Sequence, residues 1–197
     1  IGRSFPVGET FHFDNPTPVY ARLKPTQMKH VTIYTDGACR MNPGGDGAWA
    51  AVLACGSVRK EISGYIPAPT TNNRAEVAAV IEALAALREP CEVTIKTDST
   101  TFEMWFNGRR RQRGMRKGLK NQDLLALVNE AALKHRVTVE WVKGHSGIED
   151  NERCDQLANE AMRARTNPNP RYCTDKFEAR EPGCKSAGWP AVACAAG

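Results

Sequence analysis

The sequence lacks any apolar run that approaches the ~20 residues needed to span a bilayer, and no signal-peptide pattern opens the chain. Its seven cysteines are an odd number, and they form no C-x-x-C pair. No histidine stands at zinc-finger spacing from them. These absences argue against a membrane-spanning protein and against a zinc site. We therefore expect a cytoplasmic protein with reduced thiols and no membrane partner.

Length and composition allow one hydrophobic core, because the chain has 197 residues of which 41% are hydrophobic. Residues 1–29 are rich in proline and polar side chains, and residues 166–197 in Pro, Gly, Ala and Cys, so we expect both to be poorly ordered. The domain is then 30–165. Without heptads or a large leftover apolar stripe, we expect a monomer. The formal net charge of +5 is compatible with a polyanionic partner.

Hydrophobic periodicity and turn residues predict the elements of the domain. Strands are expected at 30–35, 47–55, 58–66, 92–97 and 137–142, and helices at 73–87, from 100, at 121–134 and at 150–165. Short links make the first three strands an antiparallel meander, and a right-handed helical crossover places the fourth strand parallel to the first. We therefore predict an α/β fold with a mixed sheet, which has a ligand crevice at its switch point.

Four acidic residues are expected at that end of the sheet. Asp36 follows the first strand and Asp98 the fourth, while Glu76 and Asp155 stand early in two of the helices. Taken singly, each residue has an ordinary interpretation as a turn aspartate, a helix cap, a partner of the helix macrodipole or a solvated side chain. Their joint placement at one end of one sheet favours a functional site.

A cluster of carboxylates repels itself, which raises the pKa of its members and costs stability unless positive charge neutralises it. Two divalent cations would do so, and hard oxygen ligands select Mg²⁺ or Mn²⁺ over zinc. Two such ions about 4 Å apart activate a water molecule and stabilise the leaving oxygen in phosphodiester cleavage. The cluster therefore indicates a two-metal nuclease site.

Four motifs carry a resemblance to a known family. YTDGAC-x-x-NPG, TTNNRAE, TDS and WVKGHSG-x-x-x-NERCDQLA, in this order over about residues 30–162, resemble the type 1 ribonuclease H family. The resemblance implies a ribonuclease H-like five-stranded mixed sheet and metal-dependent hydrolysis of the RNA strand of RNA–DNA hybrids. The family's catalytic carboxylates fall on Asp36, Glu76, Asp98 and Asp155. Its mobile histidine falls on His145, which implies a role in proton transfer or product release.

The resemblance also implies substrate contacts. Asn42, Asn72 and Asn73 match positions that read the minor groove of the hybrid, and Thr100 lies beside the RNA sugars. Asparagine offers a donor and an acceptor together, so it can meet both base edges and 2′-hydroxyls in a wide, shallow groove. Since only RNA has the 2′-hydroxyl, strand choice can depend on shape and sugar, and we expect weak sequence preference.

Three further residues in the same motifs are candidates for substrate binding. Thr71 matches part of the family's pocket for a DNA-strand phosphate. Cys39 either contacts RNA or is a small buried residue, and Arg74 is either a phosphate ligand or a structural neighbour of Glu76. These two alternatives stay open at the level of sequence.

Residues 109–120 form a basic segment with seven cations and no acid. The cations are Arg109, Arg110, Arg111, Arg113, Arg116, Lys117 and Lys120. Family members with a basic protrusion at this place grip the hybrid through it, and phosphate contacts of this kind give strong, salt-sensitive binding. The alternative is a solvated charged loop.

Rival functions make different demands on the sequence. A transposase or integrase of the same fold needs three essential acids and has no TTNNRAE set, and a non-catalytic hybrid-binding module would tolerate the loss of a carboxylate. None is lost here. The nuclease domain of a reverse transcriptase is a further variant. We therefore predict an endoribonuclease that leaves 5′-phosphate and 3′-hydroxyl ends, as the family does.

Overall fold

The computed structural model describes residues 28–108 and 120–174. Its strands are β1 Lys29–Cys39, β2 Gly47–Cys55, β3 Val58–Ile66, β4 Cys91–Thr97 and β5 Arg136–Trp141. Its helices are α1 Asn72–Ala85, α2 Thr100–Phe106, α3 Gln122–Ala132 and α4 Glu149–Ala164, and a 3₁₀ turn follows at Pro170–Tyr172.

The five strands form one mixed sheet in the order β3-β2-β1-β4-β5. The first three are antiparallel neighbours, while β4 runs parallel to both β1 and β5. This is the predicted topology, and the fold class is confirmed. The switch point lies at β1, whose parallel pairing with β4 ends at Thr35 opposite Thr97. Asp36 and Asp98 are therefore the next residues on two neighbouring strands.

Helices cover both faces of the sheet. The side chains of Val31 and Ile33 point into a core shared with α1 and α3. On the opposite face, α4 packs its small buried residues, such as Cys154 and Ala158, against β2. Because α1 and α4 approach β1 from opposite faces, the N-terminal halves of these helices bring Glu76 and Asp155 towards its carboxyl end.

The first strand is longer than its hydrophobic pattern predicts. The expected strand ends at 35, but β1 continues to Cys39 because β2 extends the antiparallel ladder, pairing Asp36 with Ala50 and Gly37 with Trp49. Asp36 thus lies within a paired strand, which fixes its backbone. The helix bounds differ from the prediction by no more than two residues. Thr71 is the N-cap of α1, accepting a hydrogen bond from the backbone N–H of Arg74.

The assignment of residues 166–197 to a poorly ordered tail is wrong for residues 166–174. Tyr172 is fully buried, and its hydroxyl donates a hydrogen bond to Glu82 on α1. Its carbonyl oxygen accepts a hydrogen bond from the hydroxyl of Thr70. One aromatic residue in a stretch rich in proline and asparagine has no periodicity, so the sequence pattern cannot show this packing. Residues 1–27 and 175–197 lie outside the described residues.

We expect Tyr172→Ala to lower the free energy of unfolding by about 3–5 kcal/mol, because it leaves a cavity beneath α1. Tyr172→Phe is the matched control: it keeps the ring and removes only the hydroxyl, which costs about 1–2 kcal/mol. Urea titration followed by circular dichroism measures both. An alanine variant as stable as the wild type would show that the segment contributes nothing to the domain.

Among the described residues, no helix combines the length and the apolar character needed to cross a membrane. The five cysteines in this part of the chain (Cys39, Cys55, Cys91, Cys154 and Cys173) are all free thiols.

Candidate active site

A glycine lets the strand that carries Asp36 lie close to the helix that carries Glu76. Gly37 follows Asp36 directly, and a Cβ atom built on Gly37 would lie 2.2 Å from the backbone nitrogen of Glu76. Only a residue without a side chain allows β1 and α1 to approach this closely. Gly37 therefore sets the distance between the strand that carries Asp36 and the helix that carries Glu76.

The electrostatics of Asp36 show that all four acids meet at this end of the sheet. The pKa of Asp36 is raised to about 7, mainly by burial and next by the negative charge of Asp98. Asp155 and Glu76 add smaller contributions in the same direction, whereas a hydrogen bond from the Gly37 N–H opposes them. The structure therefore brings Asp98, Asp155 and Glu76 close enough to Asp36 for their charges to raise its pKa.

The pKa of Glu76 is raised in the same way as that of Asp36. Its pKa is raised to about 7, mainly by burial, with a smaller contribution from the negative charge of Asp98. Hydrogen bonds from Ser99 and Asn72 act in the opposite direction because they stabilise the ionised form. Two neighbouring acids with raised pKa values make this part of the fold electronegative. Perturbed pKa values of this kind cluster at functional sites.

The carboxylates of Asp36 and Asp155 accept hydrogen bonds from neutral neighbours. Asp36 Oδ1 accepts a hydrogen bond of 2.7 Å from the Gly37 N–H, and Asp155 Oδ1 accepts one of 3.0 Å from the side-chain amide of Asn159. Over residues 28–108 and 120–174, no three Asp, Glu, His or Cys side chains form a group that could hold a metal ion as they stand. The donor set itself fits a hard divalent cation, because it consists of oxygens alone and its negative charge is unneutralised.

The loop between β5 and α4 lies against Asp98. A Cβ atom built on Gly144 would lie 2.6 Å from Asp98 Oδ2, and the indole N–H of Trp141 donates a hydrogen bond of 3.1 Å to the Asp98 carbonyl oxygen. His145 follows Gly144 directly; it is exposed and has a positive φ of 51°. The predicted loop histidine therefore directly follows the glycine that lies against Asp98, at the edge of the acidic cluster.

The predicted groove-reading residues surround the first turn of α1. Asn42 Oδ1 accepts a hydrogen bond of 3.2 Å from the backbone N–H of Asn72, so the loop after β1 is tied to the start of the helix. Asn42 and Asn73 are exposed, and so is Thr100 at the start of α2. The structure therefore joins Asn42 to Asn72 directly and leaves the other two side chains accessible to a ligand.

The assignment of Arg74 as a phosphate ligand requires correction. Only 4% of Arg74 is exposed, and its guanidinium donates hydrogen bonds to the carboxylate of Asp123 and to the carbonyl oxygens of Tyr172 and Cys173. Its donors are used within the fold, so the structural alternative holds. Arg74 fastens α1 to α3 and to the segment that follows α4.

The remaining predicted substrate contacts are Cys39, Thr71 and the basic segment. Cys39 is half-buried, and its thiol donates to the carbonyl oxygen of Thr70 at a sulfur–oxygen distance of 3.6 Å. Thr71 is half-buried and serves as the cap of α1. Six of the seven cations of the basic segment lie outside the described residues: Arg109, Arg110, Arg111, Arg113, Arg116 and Lys117. Lys120 is described and exposed just before α3.

Sequence reasoning missed one residue of the site, Ser99. Its hydroxyl donates a hydrogen bond to Glu76 Oε2 and accepts one from the backbone N–H of Phe102, which makes it the N-cap of α2. The signal was present in the TDS motif, since a serine directly after Asp98 must lie near the same sheet edge.

Comparison with known proteins agrees with this geometry. The family model described as RNase H matches residues 28–163. "Ribonuclease H" of Rhizobium meliloti (strain 1021) is 51% identical over 142 residues, which cover 68% of this chain and 92% of that protein. "Ribonuclease H" of Hydrogenovibrio crunogenus is 46% identical, with coverage of 68% and 97%.

Among solved structures, LC11-RNase H1 in complex with RNA/DNA hybrid is similar with a TM-score of 0.57 and 27% identity, and the match covers 68% of this chain and 97% of that one. The sheet order, the four convergent carboxylates, the family model and these relatives lead to one assignment. The chain belongs to the ribonuclease H family and is a hydrolase of that family.

Proposed function

We propose that this protein is an endoribonuclease that hydrolyses the RNA strand of RNA–DNA hybrids with two divalent metal ions, leaving 5′-phosphate and 3′-hydroxyl ends. The ions are Mg²⁺, with Mn²⁺ as a substitute, and their ligands are Asp36, Glu76, Asp98 and Asp155. One observation carries the proposal: the carboxyl of Asp36 lies at the switch point of the sheet, where burial and the charges of three other carboxylates raise its pKa.

The chain's own residues position the groups that this chemistry needs. When bound, the two ions activate a water molecule and stabilise the departing 3′-oxygen. Asp36 and Asp98 come from adjacent parallel strands, so their spacing is fixed by the ladder between β1 and β4. Glu76 and Asp155 approach from opposite faces of the sheet. His145, on the exposed loop beside Asp98, takes up or delivers a proton or assists product release.

Substrate recognition is proposed at the first turn of α1. Asn42, Asn72 and Asn73, with Thr100, would face the minor groove and report the presence of 2′-hydroxyls. The similarity to a structure solved with an RNA/DNA hybrid supports this choice of substrate. The basic segment 109–120 would bind phosphates without regard to sequence, and this contribution should weaken as salt is added.

The proposed enzyme acts as a cytoplasmic monomer. The free thiols of the described cysteines support a reducing compartment. Size-exclusion chromatography with light scattering tests the monomer, and localisation of a tagged chain in cells tests the compartment.

The test of the function uses three labelled duplexes: an RNA–DNA hybrid, double-stranded RNA and double-stranded DNA, each with Mg²⁺ and with EDTA. Metal-dependent cutting of the hybrid's RNA strand alone supports the proposal. Cutting of DNA would favour a transposase- or integrase-like nuclease of the same fold. Hybrid binding without any cutting would favour a non-catalytic hybrid-binding module.

A further inference from the structure

The carboxylate of Glu76 is held from both sides. Its Oε1 accepts a hydrogen bond of 2.8 Å from the side-chain amide of Asn72, and its Oε2 accepts one from the hydroxyl of Ser99. The two donors come from different elements, since Asn72 opens α1 and Ser99 ends the turn between β4 and α2. With both oxygens engaged, rotation of the carboxylate is opposed by two hydrogen bonds.

Ser99 is itself fixed in place. Only 5% of it is exposed, and its backbone N–H donates a hydrogen bond of 3.2 Å to Thr97 Oγ1. Its hydroxyl oxygen accepts from the Phe102 N–H at 3.3 Å, so the single hydroxyl hydrogen is directed to Glu76. The helix cap therefore orients the donor that binds the carboxylate.

Asn72 is fixed in a comparable way. Its backbone N–H donates to Asn42 Oδ1 at 3.2 Å, while its side-chain nitrogen points to Glu76. Because Glu76 accepts from the nitrogen of the amide, the orientation of that amide is determined. Its carbonyl oxygen and its second N–H stay available to a ligand. The same side chain can thus bind a substrate and hold Glu76.

We propose that Ser99 and Asn72 are positioning residues that hold the Glu76 carboxylate in the orientation needed to bind metal, and that Asn72 combines this task with contact to the hybrid. The inference rests on the proposed function. Hydrogen-bonding partners of metal ligands orient those ligands, and their removal typically costs 10–100-fold in metal affinity or activity. Neither residue touches the reacting atoms in this role.

The first test compares Ser99→Ala with Ser99→Thr, which keeps the hydroxyl. Mn²⁺ binding to the free protein is measured by isothermal titration calorimetry, and kcat and KM with a labelled hybrid. We expect Ser99→Ala to bind Mn²⁺ about 10-fold more weakly and to lose about 10-fold in kcat with KM unchanged. Ser99→Thr should restore both.

Ser99→Ala also removes the cap of α2, so unfolding by urea is measured in parallel. Loss of stability with wild-type Mn²⁺ affinity and kcat would show that Ser99 is only a cap and would overturn its positioning role. The calorimetric measurement needs no cleavage. A wild type that fails to cut hybrids would refute the proposed function, while the calorimetry would still decide whether Ser99 supports metal binding.

The second test compares Asn72→Ala with Asn73→Ala. Both residues are proposed to contact the hybrid, but only Asn72 bonds to Glu76. Asn72→Ala should raise KM and also weaken Mn²⁺ binding to the free protein by about 10-fold, whereas Asn73→Ala should raise KM alone. Equal Mn²⁺ affinity in the two variants would contradict the double role of Asn72.

Discussion

Replacement of Asp36 by asparagine is expected to lower the rate of RNA cleavage at least about 1000-fold while hybrid binding is largely retained. Asparagine keeps the shape of the side chain but removes the charge that lies closest to the switch point. Metal ions contribute several kilocalories per mole of transition-state stabilisation, and each 1.4 kcal/mol is worth about tenfold in rate. Single-turnover cleavage of a labelled hybrid measures the rate, and a gel-shift titration measures binding.

Glu140→Gln is the matched control, because it removes one acidic charge from an exposed position on β5 that pairs with Lys96. It should cleave at the wild-type rate. Circular dichroism should give the same spectrum for both variants and the wild type, since neither site lies in the hydrophobic core. Substantial residual cleavage by Asp36→Asn would contradict the assignment of the four carboxylates as the catalytic site.

The stability of the metal-free protein is expected to fall as pH rises from about 4 to about 8. The folded-state pKa of Asp36 and of Glu76 is raised to about 7. For a carboxyl group raised in this way, the folded state binds its proton more tightly than the unfolded state. The resulting stability is fully present below the unfolded pKa of about 4 and is lost as pH rises through the folded value. The loss should amount to a few kilocalories per mole.

Urea unfolding in EDTA at about pH 5 and about pH 8 measures this loss. Addition of Mg²⁺ should restore most of the stability at the higher pH and little at the lower one, because protonated carboxyls do not bind the ion. Asp36→Asn should flatten the pH dependence and be more stable than the wild type at the higher pH without metal. A wild-type stability that is constant across this range would show that neither burial nor repulsion raises the pKa of these carboxyls.

The sequence was sufficient to predict most of the sheet, because the patterns that determine its strands are local. The inner ends of β2 and β3 follow from the short turn at Gly56 and Ser57, and the crossover through α1 determines the position of β4. The end of β1 could not be predicted in this way. Its continuation past Asp36 depends on pairing with β2, which is a tertiary contact and leaves no periodic signal in the strand itself.

The residues of the site could be predicted where they lie in motifs that resemble those of a known family. The four carboxylates and the asparagines were located by their motifs, and the structure brings the acids together and joins Asn42 to Asn72. The role of Arg74 could not be predicted, because it depends on the carbonyl oxygens of a segment about 100 positions away in the chain. The bond between Ser99 and Glu76 was missed for a similar reason: it joins two elements that only the fold brings together.

The central claim is that Asp36, Glu76, Asp98 and Asp155 together hold two metal ions on the RNA strand of a hybrid. The most direct measurement is an anomalous difference map at the manganese edge, from crystals grown with Mn²⁺ and a hybrid that resists cleavage. We predict two peaks about 4 Å apart among these four carboxylates and beside one RNA phosphate. A single peak, or peaks that lie away from Asp36, would contradict the two-metal site.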